Sequence, residues 1–211
     1  MKISTTHAVV CAAVISLIGM QASAAVMTYS GEALSAQFKI NCTGTLANGQ
    51  TVAAGQMKIN YLGEDLLGYC VDLDHYSATT EVTERSASTL TNGWMVAYLF
   101  NTYAPAVATA VDAAALQTAL WEVINETGSV FNVTSGHFFI TNNASVATAA
   151  NNLLASIPAS YSPSVWPIVL DSVDKQDILI QGRIPEPATI SMLLLGSLGV
   201  FMRRLNRHHV A

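Results

Sequence analysis

Alternating apolar and polar residues mark the first part of this chain. The alternation runs through residues 26–40 and 51–62, and the Asn48-Gly49 pair between them is a turn signal. A period of two is typical of strands that bury one face, because successive side chains point to opposite sides. A short apolar run over residues 66–73 is also strand-like. We therefore predict three strands, the first two joined by a hairpin or a longer β connection.

The next part of the chain has the features of helices. Pro105 follows an apolar stretch over residues 94–100, and Gly128 follows a second one over residues 113–125, as expected just beyond the end of a helix. In the second stretch the large apolar residues recur at helical spacing and share one face. The predicted helices and their capping residues are residues 94–100 after Asn92, 113–125 after Asp112 and 146–156 after Ser145.

Two further strands are predicted near residues 167–172 and 177–184, after a loop over residues 156–167 that contains three prolines. Strands on either side of a run of helices indicate an α+β protein. We therefore predict a β-rich frame, sandwich- or barrel-like, with an inserted helical cluster. This domain occupies residues 25–183.

The charge distribution excludes one class of partner. Between Glu32 and Glu186 the chain carries fourteen acidic residues and only five basic ones, a net charge of −9. Nucleic-acid binding needs a basic footprint to neutralise phosphates. We therefore expect no nucleic-acid partner.

Residues 1–24 have the three parts of a secretory signal peptide. Lys2 supplies the positive start, residues 8–20 form an apolar run, and Ala22-Ser23-Ala24 supplies the small residues that signal peptidase accepts. The apolar run is short for a membrane span. We predict export with cleavage after Ala24, so that Cys11 leaves with the signal peptide.

Residues 184–211 consist of three parts in order. An Ile-Pro-Glu-Pro segment precedes an uncharged apolar stretch over residues 188–202, and an arginine cluster follows. The apolar stretch predicts a single short transmembrane helix whose arginines stay on the cytoplasmic side. An ordinary tail anchor would look similar, but the whole arrangement resembles the PEP-CTERM sorting signal of Gram-negative bacteria that make exopolysaccharide. The residues that carry this resemblance are Pro185, Glu186, Pro187, Arg203, Arg204 and Arg207.

The resemblance implies a route of delivery. PEP-CTERM tails are handled by an exosortase, a membrane cysteine protease-transpeptidase. The precursor would then be held in the inner membrane by its C-terminal helix. The mature protein would reach the cell surface or an extracellular matrix.

Two blocks in the middle of the chain place a cysteine and a glutamine in distinctive surroundings. Cys70 lies in Gly-Tyr-Cys-Val-Asp-Leu, and Gln117 lies in Leu-Gln-Thr-Ala-Leu-Trp. With the intervening helix over residues 94–101, these blocks resemble the thioester domains of bacterial surface adhesins, over residues 69–122. The resemblance implies that the Cys70 sulfur and the Gln117 side-chain carbonyl join in an internal thioester.

Such a bond needs these two residue types. A thiolate is both a good nucleophile and a good leaving group, whereas an amide reacts only when it is held in contact with one. The thioester can then be captured by a lysine amine or a hydroxyl of a partner, provided that water is kept away. Tyr69, Trp94 and Trp121 are candidates for this shield, and Trp121 lies one helical turn beyond Gln117.

A disulfide between Cys42 and Cys70 is the alternative, since disulfides are common in exported proteins, and two free thiols are the third. Nothing around Cys70 matches a protease signature, and the acidic residues beside His75 lack the spacing of a calcium loop. We therefore expect no enzyme activity, no metal and no cofactor. The expected function is covalent adhesion, and the alternative is a passive matrix protein stapled by a disulfide.

Overall fold

The structure, a computed structural model of the 211-residue chain, describes residues 24–182. The predicted sorting signal over residues 184–211 and all but the last residue of the predicted signal peptide lie outside the described residues. Within the described part, no helix has the length and apolar character needed to cross a membrane.

Seven antiparallel strands form the frame of the part of the chain that the structure describes. The pairings run from β2 through β3, β7, β6 and β4 to β1, and β1 also pairs with β2, so that six strands close a ring. The remaining strand, β5, extends the end of β1. The predicted α+β class is confirmed. The strands are β1 (Ala25–Cys42), β2 (Thr51–Tyr61), β3 (Glu64–Cys70), β4 (Thr80–Ser86), β5 (Phe138–Thr141), β6 (Ile168–Asp171) and β7 (Ile178–Ile180).

The long first strand closes the ring because it is bent. The β1–β2 register shifts on both sides of Glu32, once between Tyr29 and Glu32 and again between Glu32 and Ser35. Such bulges sharpen the local twist and turn side chains to a new direction. Gly55 on β2 has a φ of +152°, and a Cβ there would run into the Leu34 carbonyl, so only glycine fits this bend.

Helix α2 (Ala110–Asn125) lies at the centre of the domain, in contact with β1, β2, α1 (Gly93–Tyr103) and α3 (Ala144–Ala155). Its residues from Ala113 to Val123 are all buried. Many of them are alanines, whose small side chains let neighbouring elements approach on every side. Two 3-10 turns, Ala87–Thr89 and Ala104–Ala106, flank α1.

The helix starts differ from those predicted. Helix α2 begins three residues earlier than expected, because Thr109 and not Asp112 is its N-cap. Asp112 is the third residue of the helix and completes a reciprocal capping box with Thr109. Asn143, rather than Ser145, caps α3. Asn92 precedes α1 as predicted, but it makes no side-chain capping bond, and its amide donates instead to the Val123 carbonyl.

The predicted strands occur with some changes of boundary. β3 ends at Cys70 rather than at residue 73, and β7 ends at Ile180 rather than at residue 184. Strands β4 and β5 were not predicted. The early end of β3 matters for the site, because it leaves Cys70 at the edge of regular pairing.

Candidate functional site

Cys70 and Gln117 meet although they lie 47 residues apart in the chain. The backbone N–H of Cys70 donates to Gln117 Oε1 at 2.9 Å, and Gln117 Nε2 donates to the Cys70 carbonyl oxygen at 2.6 Å. Both residues are almost fully buried. The glutamine amide is therefore held against Cys70 by two hydrogen bonds that fix its position and its orientation.

The strand pairing explains why Cys70 accepts such a partner. Cys70 lies opposite Ile178 on β7, and Val71 N–H donates to the Asp177 carbonyl. This pattern makes Cys70 a non-hydrogen-bonded position of the β3–β7 pair, so that its own N–H and C=O point to the other edge of β3. On that edge, β2 pairs with β3 only as far as Gly68. The Gln117 amide thus takes the place of a missing strand.

The thiol of Cys70 is enclosed at the same point. Sγ donates to the Asp72 carbonyl at 2.6 Å and accepts from Asp72 N–H at 3.3 Å. Burial raises the pKa of the Cys70 thiol well above its ordinary value, and interactions with the Asp72 backbone and the Trp121 side chain oppose this rise only in part. Cys70 is therefore a neutral thiol here, unlike the activated thiolate of a cysteine protease.

A cavity of about 300 Å³ opens on this pair. Cys70, Gln117 and Trp121 line one part of it, and Glu32 and Met57 line another. A small group that enters the cavity can therefore reach the cysteine and the glutamine together.

The three predicted shielding residues have different positions. Trp121 lines the cavity, is 3% exposed and packs against Phe138 with ring centroids 6.3 Å apart. Tyr69 is buried and packs edge-to-face on Phe100 at 6.0 Å. Trp94 is half-buried on α1. Of the three, Trp121 is the one that lines the cavity with Cys70 and Gln117.

Cys42 lies at the end of β1, opposite Phe138 of β5, whereas Cys70 lies opposite Ile178 of β7. Both cysteines are free thiols in the structure. Burial raises the pKa of the Cys42 thiol as well. The two thiols therefore belong to different strand pairs.

The acidic residues after β3 form a local turn. Asp72 Oδ1 accepts from Asp74 N–H at 2.6 Å, and Asp72 Oδ2 lies 2.6 Å from His75 Nδ1. This bond to Asp72 raises the pKa of His75. No group of three or more metal-ligating side chains occurs among residues 24–182.

Sequence reasoning missed two acids that each have a buried carboxylate oxygen. Glu32 lines the cavity from β1, and Glu122 is fully buried on α2 beside Trp121. Glu32 follows Gly31, which has a φ of +98°, and a glycine beside an acid within an alternating strand was the signal for a bulge there. Glu122 lies on a helix face that amphipathic spacing assigns to solvent, and its burial comes from the tertiary packing around α2.

Comparisons with protein-family models, with curated proteins and with solved structures found no match to this chain.

Proposed function

We propose that this chain is an exported surface or matrix protein that attaches covalently to a partner through a thioester between Cys70 and Gln117. The observation that carries the proposal is the pair of hydrogen bonds between the Gln117 amide and the Cys70 backbone inside a buried site. A structural glutamine needs no neighbouring thiol, whereas acyl transfer needs amide and thiol held together.

The reaction balances without a co-reactant. The neutral Cys70 thiol gives its proton to the amide nitrogen as its sulfur attacks the side-chain carbonyl carbon of Gln117, and the C–N bond then breaks to release ammonia. Nε2 leaves in this step, so the hydrogen bond from Nε2 to the Cys70 carbonyl exists only in the unreacted chain. A partner amine or hydroxyl then attacks the thioester, which restores the thiol and joins the partner to residue 117. Each site reacts once, so the protein is a covalent adhesin and not an enzyme.

The delivery half of the proposal rests on the two ends of the chain. A signal peptide over residues 1–24 would direct export, and a PEP-CTERM tail over residues 184–211 would be recognised by an exosortase-type enzyme. The C-terminal helix would hold the precursor in the inner membrane. The final location would be the cell surface or an exopolysaccharide matrix, where amines and hydroxyls of proteins and polysaccharides are available.

The test is the intact mass of the exported chain, purified under non-reducing conditions, before and after treatment with methylamine. The proposal expects a mass lower by one ammonia, followed by the gain of one methylamine at residue 117. A mass lower by two hydrogens that methylamine leaves unchanged would instead identify a disulfide, and the adhesin proposal would fall.

Replacement of Cys42 by alanine separates the thioester from the alternative, a passive matrix protein stapled by Cys42 and Cys70. The Cys42→Ala chain is expected to keep the ammonia deficit and its reactivity towards methylamine, because Cys42 takes no part in the bond. Cys70→Ala is the matched control and should lose both. A Cys42→Ala chain with the full unreacted mass would contradict the thioester.

A further inference from the structure

In the described part of the chain, a single carboxylate lines the cavity beside Cys70 and Gln117. Glu32 on β1 supplies it, and His75 is the lining side chain among the described residues that can carry a positive charge, since neither lysine nor arginine lines the cavity. Glu32 pairs with Met57 on β2, Met57 pairs with Gly68 on β3, and Cys70 follows two residues along β3. Paired residues on neighbouring strands share a face of the sheet, and so do alternate residues of one strand. Glu32 and Cys70 therefore face the same interior.

The backbone turns Glu32 into this interior. Register shifts lie on both sides of it, and Gly31 before it has a φ of +98°. A regular strand would distribute side chains strictly by alternation, whereas bulges next to a site re-aim one of them. These two register shifts together set the direction of the Glu32 carboxylate.

One oxygen of the Glu32 carboxylate accepts a hydrogen bond from a described residue, and the other does not. The Tyr29 hydroxyl donates to Glu32 Oε1 at 2.8 Å. Glu32 Oε2 is buried and has no hydrogen-bond partner among the described residues. Burial raises the pKa of Glu32, although the bond from Tyr29 opposes the rise. An ammonium group beside Oε2 would satisfy this oxygen and favour the charged carboxylate.

We propose that Glu32 is the specificity-determining residue of the site, which binds the ammonium form of an incoming primary amine and so selects amines over hydroxyls. This inference rests on the proposed thioester. The amine enters as R–NH₃⁺, and one proton passes to the Glu32 carboxylate. The neutral nitrogen attacks the thioester carbonyl, the C–S bond breaks and a C–N bond forms. The second proton passes to the Cys70 thiolate, and the amide keeps the third.

The test compares a cationic with an uncharged nucleophile of similar size. Methylamine is an ammonium ion at neutral pH, whereas hydroxylamine is uncharged. Rates of mass gain are measured on the full chain, purified in detergent, with wild type, Glu32→Gln and Glu81→Gln. Glu81 is an exposed acid on β4, so Glu81→Gln makes the same change of charge outside the cavity.

Glu32→Gln should lower the rate with methylamine about tenfold, as expected for loss of a charge-assisted hydrogen bond, and should leave the rate with hydroxylamine within about twofold. Glu81→Gln should change neither rate. Equal falls for both nucleophiles, no fall for either, or a Glu32→Gln chain that forms no thioester would overturn the inference. If wild type itself shows no ammonia deficit, the proposed function fails; if it does and Glu32→Gln changes nothing, only the role of Glu32 fails.

Discussion

In a Cys70→Ala chain, further replacement of Gln117 by alanine is expected to lower the free energy of unfolding by about 3 kcal/mol. The Cys70→Ala background cannot form a thioester, so it isolates the glutamine amide and its two backbone hydrogen bonds. Without that amide, a buried N–H and a buried C=O of residue 70 lose their partners. Each unsatisfied group costs about 1–3 kcal/mol.

The measurement is chemical denaturation of the single and double variants. Gln50→Ala in the same background is the matched control, because Gln50 is exposed and its loss should change stability by no more than about 0.5 kcal/mol. A Gln117→Ala chain as stable as the Gln50→Ala chain would mean that the amide does not hold the end of β3. In that case the two hydrogen bonds would not hold Gln117 in position for thioester formation.

Gln117→Glu in the same background sharpens this prediction. A protonated glutamic acid can donate to the Cys70 carbonyl and accept from its N–H, as the amide does, whereas a carboxylate places a negative oxygen against that carbonyl. The folded state therefore raises the pKa of the new carboxyl, and stability falls as pH rises from the unfolded value through the folded one. At acidic pH the Gln117→Glu variant should be nearly as stable as the Cys70→Ala chain that keeps Gln117. At neutral pH it should be less stable than that chain.

The parts of the fold with a local repeating signal could be predicted from the sequence. β1 and β2 alternate over long stretches, and both occur where the alternation predicts them. β4 reads Thr-Glu-Val-Thr-Glu-Arg-Ser and has little apolar content, yet it pairs with β1 on one edge and β6 on the other. Its neighbours hold it in the sheet, because Val82 is its one apolar residue and gives no alternating apolar pattern. β5 has only four residues, too few for a period to be recognised.

The candidate site likewise has a part that could be predicted from the sequence and a part that could not. Cys70 and Gln117 were singled out from a resemblance, and the structure brings them together. The orientation of that contact depends on where β2 stops pairing with β3, which no local pattern records. Glu32 faces the cavity because of bulges in the β1–β2 pairing, so its direction is a property of two strands. Long-range register, more than residue type, separates what was predicted from what was missed.

Helix α2 carries a fully buried acid, Glu122, whose ionisation has a large expected effect on stability. Glu122 is fully buried, and its Oε1 accepts from Asn132 N–H at 2.6 Å. Its Oε2 has no hydrogen-bond partner among the described residues. Burial raises the pKa of Glu122 from 4.5 to about 7, the nearby charge of Glu126 adds to the rise, and the bond from Asn132 opposes it. Between about pH 4.5 and pH 7, the Glu122 carboxyl is therefore protonated in the folded chain and ionised in the unfolded chain.

Stability should consequently fall as pH rises from about 4.5 to above 7, by on the order of 3 kcal/mol from this group alone. The folded state binds the extra proton in this interval, so the contribution is complete below the unfolded pKa and is lost as pH passes the folded pKa.

Glu122→Gln keeps an acceptor for Asn132 N–H and cannot ionise, so its unfolding free energy should change less between pH 5 and pH 8. Because His75 and Glu32 also have raised pKa values, the informative quantity is the difference between Cys70→Ala chains with and without Glu122→Gln. Parallel pH profiles for these two chains would show that Glu122 ionises as freely in the folded domain as in the unfolded chain, and that water or a partner reaches its second oxygen.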